Sequence, residues 1–304
     1  MEIDFPSGFW PMMLTPFKES GSIDYAGLRD LTKWYIDQGC SGIFADCQAS
    51  EAFCLNLPER IGIASIVIDA AKGKVPVIVS GHIAEDKNLQ IEELLQITAL
   101  EPAAVILNTN RFANQDEDDE TWRHNCAQVI EALPENMPLG LYECAYPYKR
   151  LISDENLKWC VQSGRFYFLH DNSCNLSLIK KRLQIVKNSE LKIYNANSAT
   201  LLPSLRAGCS GFFGEMGAFQ PKLYTWLCKH FKDEKAEKLQ EFLAKSTCLV
   251  KHNFHIKAKY YLKEFEKLKI NTFNRMHSDL SELNIKEMQI LRDNLQKMQS
   301  NFSL

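Results

Sequence analysis

From Phe9 to about Asp233 the chain alternates between short apolar runs and longer amphipathic segments, with a glycine or proline at each break. The apolar runs begin at Phe9 (FWPMMLTP), Ser41 (SGIFADC), Val75 (VPVIVSG) and Ala103 (AAVILNTN). Four more begin at Pro138 (PLGLYEC), Arg165 (RFYFLHD), Leu191 (LKIYNAN) and Ser210 (SGFFGEM). Their apolar positions are successive rather than alternate, which suits strands buried on both faces of a parallel sheet. The segments between them have helical spacing. In IDYAGLRDLTKWYIDQG, Leu28, Leu31, Trp34 and Tyr35 share a face and Gly39 offers a C-terminal stop. PERIGIASIVIDAAKG starts with Pro58 and stops at Gly73, and SDENLKWCVQSG has Ser153 as N-cap and Gly164 after its last turn. Eight strand–helix units over about 225 residues match an α/β protein of the TIM (β/α)8 type. A doubly wound sheet alternates in the same way, but no Gly-x-Gly-x-x-Gly follows the first strand. Beyond Asp233 the strands stop and Lys/Glu-rich helical stretches take over. The pattern thus predicts a barrel over residues 1–233 and a helical extension over 234–304, packed on the barrel or on a partner subunit.

Composition narrows the function classes. The 304 residues are 45% hydrophobic and 24% charged, with a formal net charge of −3 and a pI near 6.2. No basic excess marks a nucleic-acid partner. No run of about 18 apolar residues marks a membrane span, and the opening MEIDFPSG is not a signal peptide. The 10 cysteines hold no CxxC pair, and most lie in apolar stretches. They read as small buried hydrophobes in a reducing cytoplasm.

The polar residues gather at the C-terminal ends of the expected strands, where barrels of this kind keep their active sites. Asp46, Cys47 and Gln48 close the second run, His82 follows the third, and Asn108 and Asn110 follow the fourth. Tyr142 and Glu143 close the fifth, His170, Asp171 and Asn172 the sixth, Asn195 and Asn197 the seventh, and Glu215 the eighth. Strand-to-helix turns need Asn, Asp and Ser as caps in any case. Capping explains Tyr142, His170 and Glu51 less well.

Four stretches carry a resemblance. MLTPFKESGSIDYAGL, CQASEAFCLNLPER, PLGLYECAYP and LRAGCSGFFGEMGAFQP resemble the first strand and turn, the Gly-Thr-Thr-Gly-Glu loop, the tyrosine-bearing fifth strand and the eighth strand of the dihydrodipicolinate synthase / N-acetylneuraminate lyase family. The resemblance implies a TIM barrel with added C-terminal helices, usually a homotetramer, and no cofactor. It implies reversible aldol chemistry on a 2-oxo acid through a lysine imine. Here His170 stands where the family has that lysine, and an imidazole forms no stable iminium. The Thr-Thr pair reads Gln48-Ala49, Ser50 replaces the loop's second glycine, Phe112 replaces a neighbour's tyrosine, and Ala218 replaces an asparagine. Tyr142 and Glu51 remain.

From the resemblance, Tyr142 and His170 are the candidate catalytic pair. Gln48, Ala49, Ser50, Glu51, Arg111, Arg150, Asn195 and Asn197 are the candidate contacts to a small 2-oxo acid or a sugar-acid-like carboxylate. Lys149 shares the YPYKR loop with Arg150 and is an alternative to it. His170 can act as an acid–base group, as a passive replacement for the lysine, or as one ligand of a metal with His82, Glu51 and Glu143. The expected function is a lyase- or aldolase-like barrel lacking the imine lysine. The alternative is a non-catalytic carboxylate-binding or regulatory barrel. A homo-oligomer is expected in either case, without nucleic acid or membrane. His252-x-x-His255 in the extension reads as a surface or interface pair.

Overall fold

The computed structural model describes residues 5–250, 252–276 and 283–304. All eight apolar runs contain a strand. They are β1 (Gly8–Phe9), β2 (Ile43–Ala45), β3 (Val77–Ser80), β4 (Ala104–Asn108), β5 (Leu139–Tyr142), β6 (Phe166–Asp171), β7 (Lys192–Asn195) and β8 (Gly211–Phe212). The strands pair in parallel in the order β1-β8-β7-β6-β5-β4-β3-β2. A parallel bridge between Met12 and Phe44 joins the segment after β1 to β2 and closes the circuit. β1 is short because Pro11, which has no N–H, interrupts the run that began at Phe9.

Each strand is followed by a helix, after β2, β4, β7 and β8 by way of short 3-10 turns. The helices are α1 (Tyr25–Asp37), α2 (Leu57–Ala71), α3 (Lys87–Thr98), α4 (Asp119–Glu131), α5 (Asp154–Ser163), α6 (Leu176–Val186), α7 (Leu201–Ala207) and α8 (Pro221–Lys229). Their ends follow local chemistry. Asn56 and Glu59 form a reciprocal cap at the start of α2, and Ser153 accepts from the Asn156 N–H at the start of α5. Gly164 takes a φ of +65° just past α5, a conformation side chains rarely adopt.

Three further helices complete the chain: α9 (Ala236–Val250), α10 (Phe254–Glu264) and α11 (Ile285–Asn301). Leu239, Leu262 and Leu295 from these helices are buried in the same hydrophobic core as the barrel. The described cysteines are free thiols, most of them buried. No helix among the described residues is long and apolar enough to cross a membrane.

Candidate active site at the strand ends

Tyr142, the last residue of β5, and His170, the penultimate residue of β6, are direct partners in the β5–β6 register. Their rings meet edge to face, with centroids 4.6 Å apart at 86°. Phe44 and Phe213 complete the aromatic surround of the imidazole, with ring centroids 6.4 and 6.2 Å away. His170 is 2% exposed, and neither ring nitrogen has a hydrogen-bond partner. Burial therefore lowers its pKa to about 4, against the opposing pull of Asp171, and the ring is neutral at pH 7. Burial likewise pushes the Tyr142 phenol well above its usual range, with Cys144, Cys47 and Glu215 adding to the effect.

Both side chains line a cavity of about 200 Å³. Gln48, Asn172 and Glu215 supply its other polar walls, and Met12, Ala145, Ala196 and Gly214 the rest. No lysine or arginine is among these residues. The lysines nearest in sequence are elsewhere. Lys180 and Lys181 are exposed on α6, and Lys192 starts β7, where its amine donates to the Phe5 carbonyl at 2.6 Å.

The other expected contacts take different places. Ala49 is wholly buried. The Ser50 hydroxyl donates to the Met13 carbonyl at 2.6 Å. Glu51 accepts from the Lys259 amine at 2.7 Å and from the Arg275 and Met276 N–H groups, so it ties the barrel to the C-terminal helices. The Asn195 amide donates to Thr200 and Ser204, while the Asn197 side chain accepts from the Ala199 and Thr200 N–H groups; together they build the turn after β7. Arg150 donates to the carbonyls of Asn114 and Glu117. Arg111 lines a separate cavity. Phe112 is buried between His82 and Trp122 of its own chain, 5.4 and 5.3 Å from their ring centroids.

Of the four residues considered as metal ligands, all but His170 are committed individually. His82 accepts from the Asn108 N–H through Nε2 at 2.8 Å, so its proton sits on Nδ1, which donates to Gln90 at 2.9 Å. Burial lowers its pKa to about 3. Glu51 pairs with Lys259 and Glu143 with Arg182.

The residues that sequence reasoning missed are buried cations. Arg182 of α6 sits between Glu143 and Asp171, at 2.5 Å from each carboxylate, with all three side chains fully buried. Glu143 also accepts from the N–H groups of Ile152 and Asn172. Burial raises the Glu143 pKa, opposed by Arg182. Glu143 and Asp171 directly follow Tyr142 and His170, so this cluster fixes the ends of the two strands that carry the pair. Arg60 plays the same part for β2, holding Asp46 at 2.7 Å and Glu93 at 3.0 Å. A signal was present: Arg182 shares the buried stripe of α6 with Ile179 and Val186, and Arg60 shares that of α2 with Ile63 and Val67. A charge on an apolar stripe asks for a buried partner.

A closed ring of parallel strands with a polar cavity at their C-terminal ends is the TIM-barrel architecture. Within that architecture, residues 6–98 match the sequence model of the dihydrodipicolinate synthetase family. The 4-hydroxy-tetrahydrodipicolinate synthase of Teredinibacter turnerae is 29% identical over 124 residues, which is 40% of this chain and 42% of that enzyme. The enzyme of the same name from Methanocaldococcus jannaschii is 21% identical over 249 residues, covering 81% of this chain and 83% of its own. Among solved structures, the sialic acid aldolase of Ruminococcus gnavus superposes with a TM-score of 0.88 at 16% identity, covering 98% of this chain and 100% of that one. That aldolase has also been solved as a catalytic lysine mutant.

Proposed function

We propose that this chain is a lyase-family barrel that binds a small, hydroxyl-bearing oxo acid or sugar acid at its strand ends without forming an imine. The observation that carries the reading is the cavity lining: an imidazole with two unpaired nitrogens, a buried phenol and no primary amine. Amide, imidazole, phenol and carboxylate groups together suit a ligand rich in hydroxyls and carbonyls. With no fixed cation in the lining, hydrogen bonds rather than charge hold the ligand. In a carbon–carbon cleavage, neutral His170 takes the proton from the hydroxyl beside the breaking bond. Tyr142 donates to the oxygen that receives the electron pair. Assembly into a homo-oligomer belongs to this reading as the family's usual state.

A second reading is a binding barrel without turnover. It is favoured by Phe112, which is packed inside its own chain, and by Ala49, which supplies no hydroxyl at the loop. Calorimetry with a panel of 2-oxo acids and polyhydroxy sugar acids, followed by cleavage assays on the binders, separates the two. Turnover lost in both His170→Ala and Tyr142→Phe supports the lyase. Binding without turnover supports the second reading. Binding unaffected by either substitution sinks both.

A further inference from the structure

We propose that Arg111 anchors a second ligand site, for a small monocarboxylate, separate from the His170 cavity. Arg111 ends the 3-10 turn Thr109–Arg111 that follows β4. Its side chain is only 7% exposed. A guanidinium carries five N–H donors, and leaving them unmet in a buried place is costly. Arg60 and Arg182 each bond two carboxylates and a backbone carbonyl, although the Arg182 Nε is also unpartnered. The Arg111 guanidinium donates no hydrogen bond to any described residue, and its Nε is buried without a partner. Its one ionic neighbour among the described residues, Glu85, lies at 3.7 Å with a side chain 88% exposed. The cation is held instead by the Phe53 ring, whose centroid is 5.6 Å from Cζ, and Tyr146 packs on Phe53 at 4.7 Å.

This cation borders a cavity of about 270 Å³ that shares no lining residue with the His170 cavity. Its walls are fixed before any ligand arrives. The Asn110 amide nitrogen lies 3.2, 3.0 and 2.6 Å from the carbonyls of Cys144, Tyr146 and Tyr148. The Tyr148 hydroxyl lies 2.7 and 2.6 Å from the carbonyls of Asn110 and Ala113. Glu85 and Glu117 also line the space. Two acids in the lining disfavour a phosphate dianion more than a monoanion, and the planar guanidinium fork matches a carboxylate.

The test is calorimetric titration with acetate and propionate, and with inorganic phosphate as the contrasting anion. The wild type is expected to bind the carboxylates more tightly than phosphate. Arg111→Gln is expected to weaken carboxylate binding at least about tenfold, the equivalent of one charge-assisted pair. Arg111→Lys, which keeps the charge but not the fork, is expected to fall between them. Should Arg111→Gln fail to fold, the lysine variant carries the comparison. Equal carboxylate binding in wild type and Arg111→Lys or Arg111→Gln overturns the proposal. So does undetectable binding to the wild type. A change of assembly state on light scattering for Arg111→Gln, with no carboxylate bound by the wild type, would instead assign the guanidinium to an acid on a second copy.

Discussion

Tyr142 and His170 face each other across adjacent strands, ring edge to ring face at 4.6 Å, and both open onto one cavity. A strand register fixes their relation, not a loop, so it persists without ligand. Beneath them, Glu143 and Asp171 share Arg182 in a fully buried cluster.

That cluster is the first thing to remove. Arg182→Met leaves two carboxylates buried without their cation. A loss of about 3–5 kcal/mol in unfolding free energy is expected. Urea denaturation followed by circular dichroism measures it. A loss well under 1 kcal/mol would mean that the strand ends do not depend on the guanidinium.

The two buried histidines set an acid limit. His170 titrates near 4 and His82 near 3 in the folded chain, against an ordinary value of 6.5. Between those values and 6.5 the unfolded chain binds more protons. Stability is therefore fully present above pH 6.5 and declines as the pH falls toward 4. For His170 alone the full effect is on the order of 3 kcal/mol. His170→Asn should flatten the slope of unfolding free energy against pH in that window by roughly one proton. An unchanged slope would show that the ring is solvated.

Lys259 of α10 is fully buried on Glu51, its amine 4.7 Å from the Phe17 ring centroid. Burial lowers its pKa despite the carboxylate. Lys259→Met leaves Glu51 with backbone donors alone and should cost about 3 kcal/mol. It should also loosen the C-terminal helices first, which proteolysis after residue 230 would reveal by cutting there before the barrel. Simultaneous loss of both parts would contradict this order.

His170→Lys restores an amine in the cavity, where burial lowers its pKa toward the neutral, nucleophilic form. A borohydride-reducible adduct with a 2-oxo acid is expected for this variant, seen by intact mass. Its absence would mean that the β6 position does not reach the ligand.

The sequence carried the barrel clearly because both-face burial writes each strand as a continuous apolar run. All eight runs hold strands. It carried the His170–Tyr142 pair because aromatic and imidazole groups at strand ends have no capping role. It misread residues whose types serve two ends. Glu51, Asn195 and Asn197 are good ligand contacts by type, yet here they satisfy backbone donors and a buried amine. Spacing alone does not tell which way a strand-end amide turns. The buried arginines were legible only as charges on apolar stripes, and each has an acid far away in sequence: Arg182 is 39 residues from Glu143 and Arg60 is 33 from Glu93.

The most direct test of the central claim is the mass of the wild-type chain after incubation with pyruvate and other 2-oxo acids in the presence of borohydride. The account predicts an unchanged mass, because no amine lines the His170 cavity. A stable gain of one reduced ligand, mapped by peptide analysis to a lysine, would contradict it.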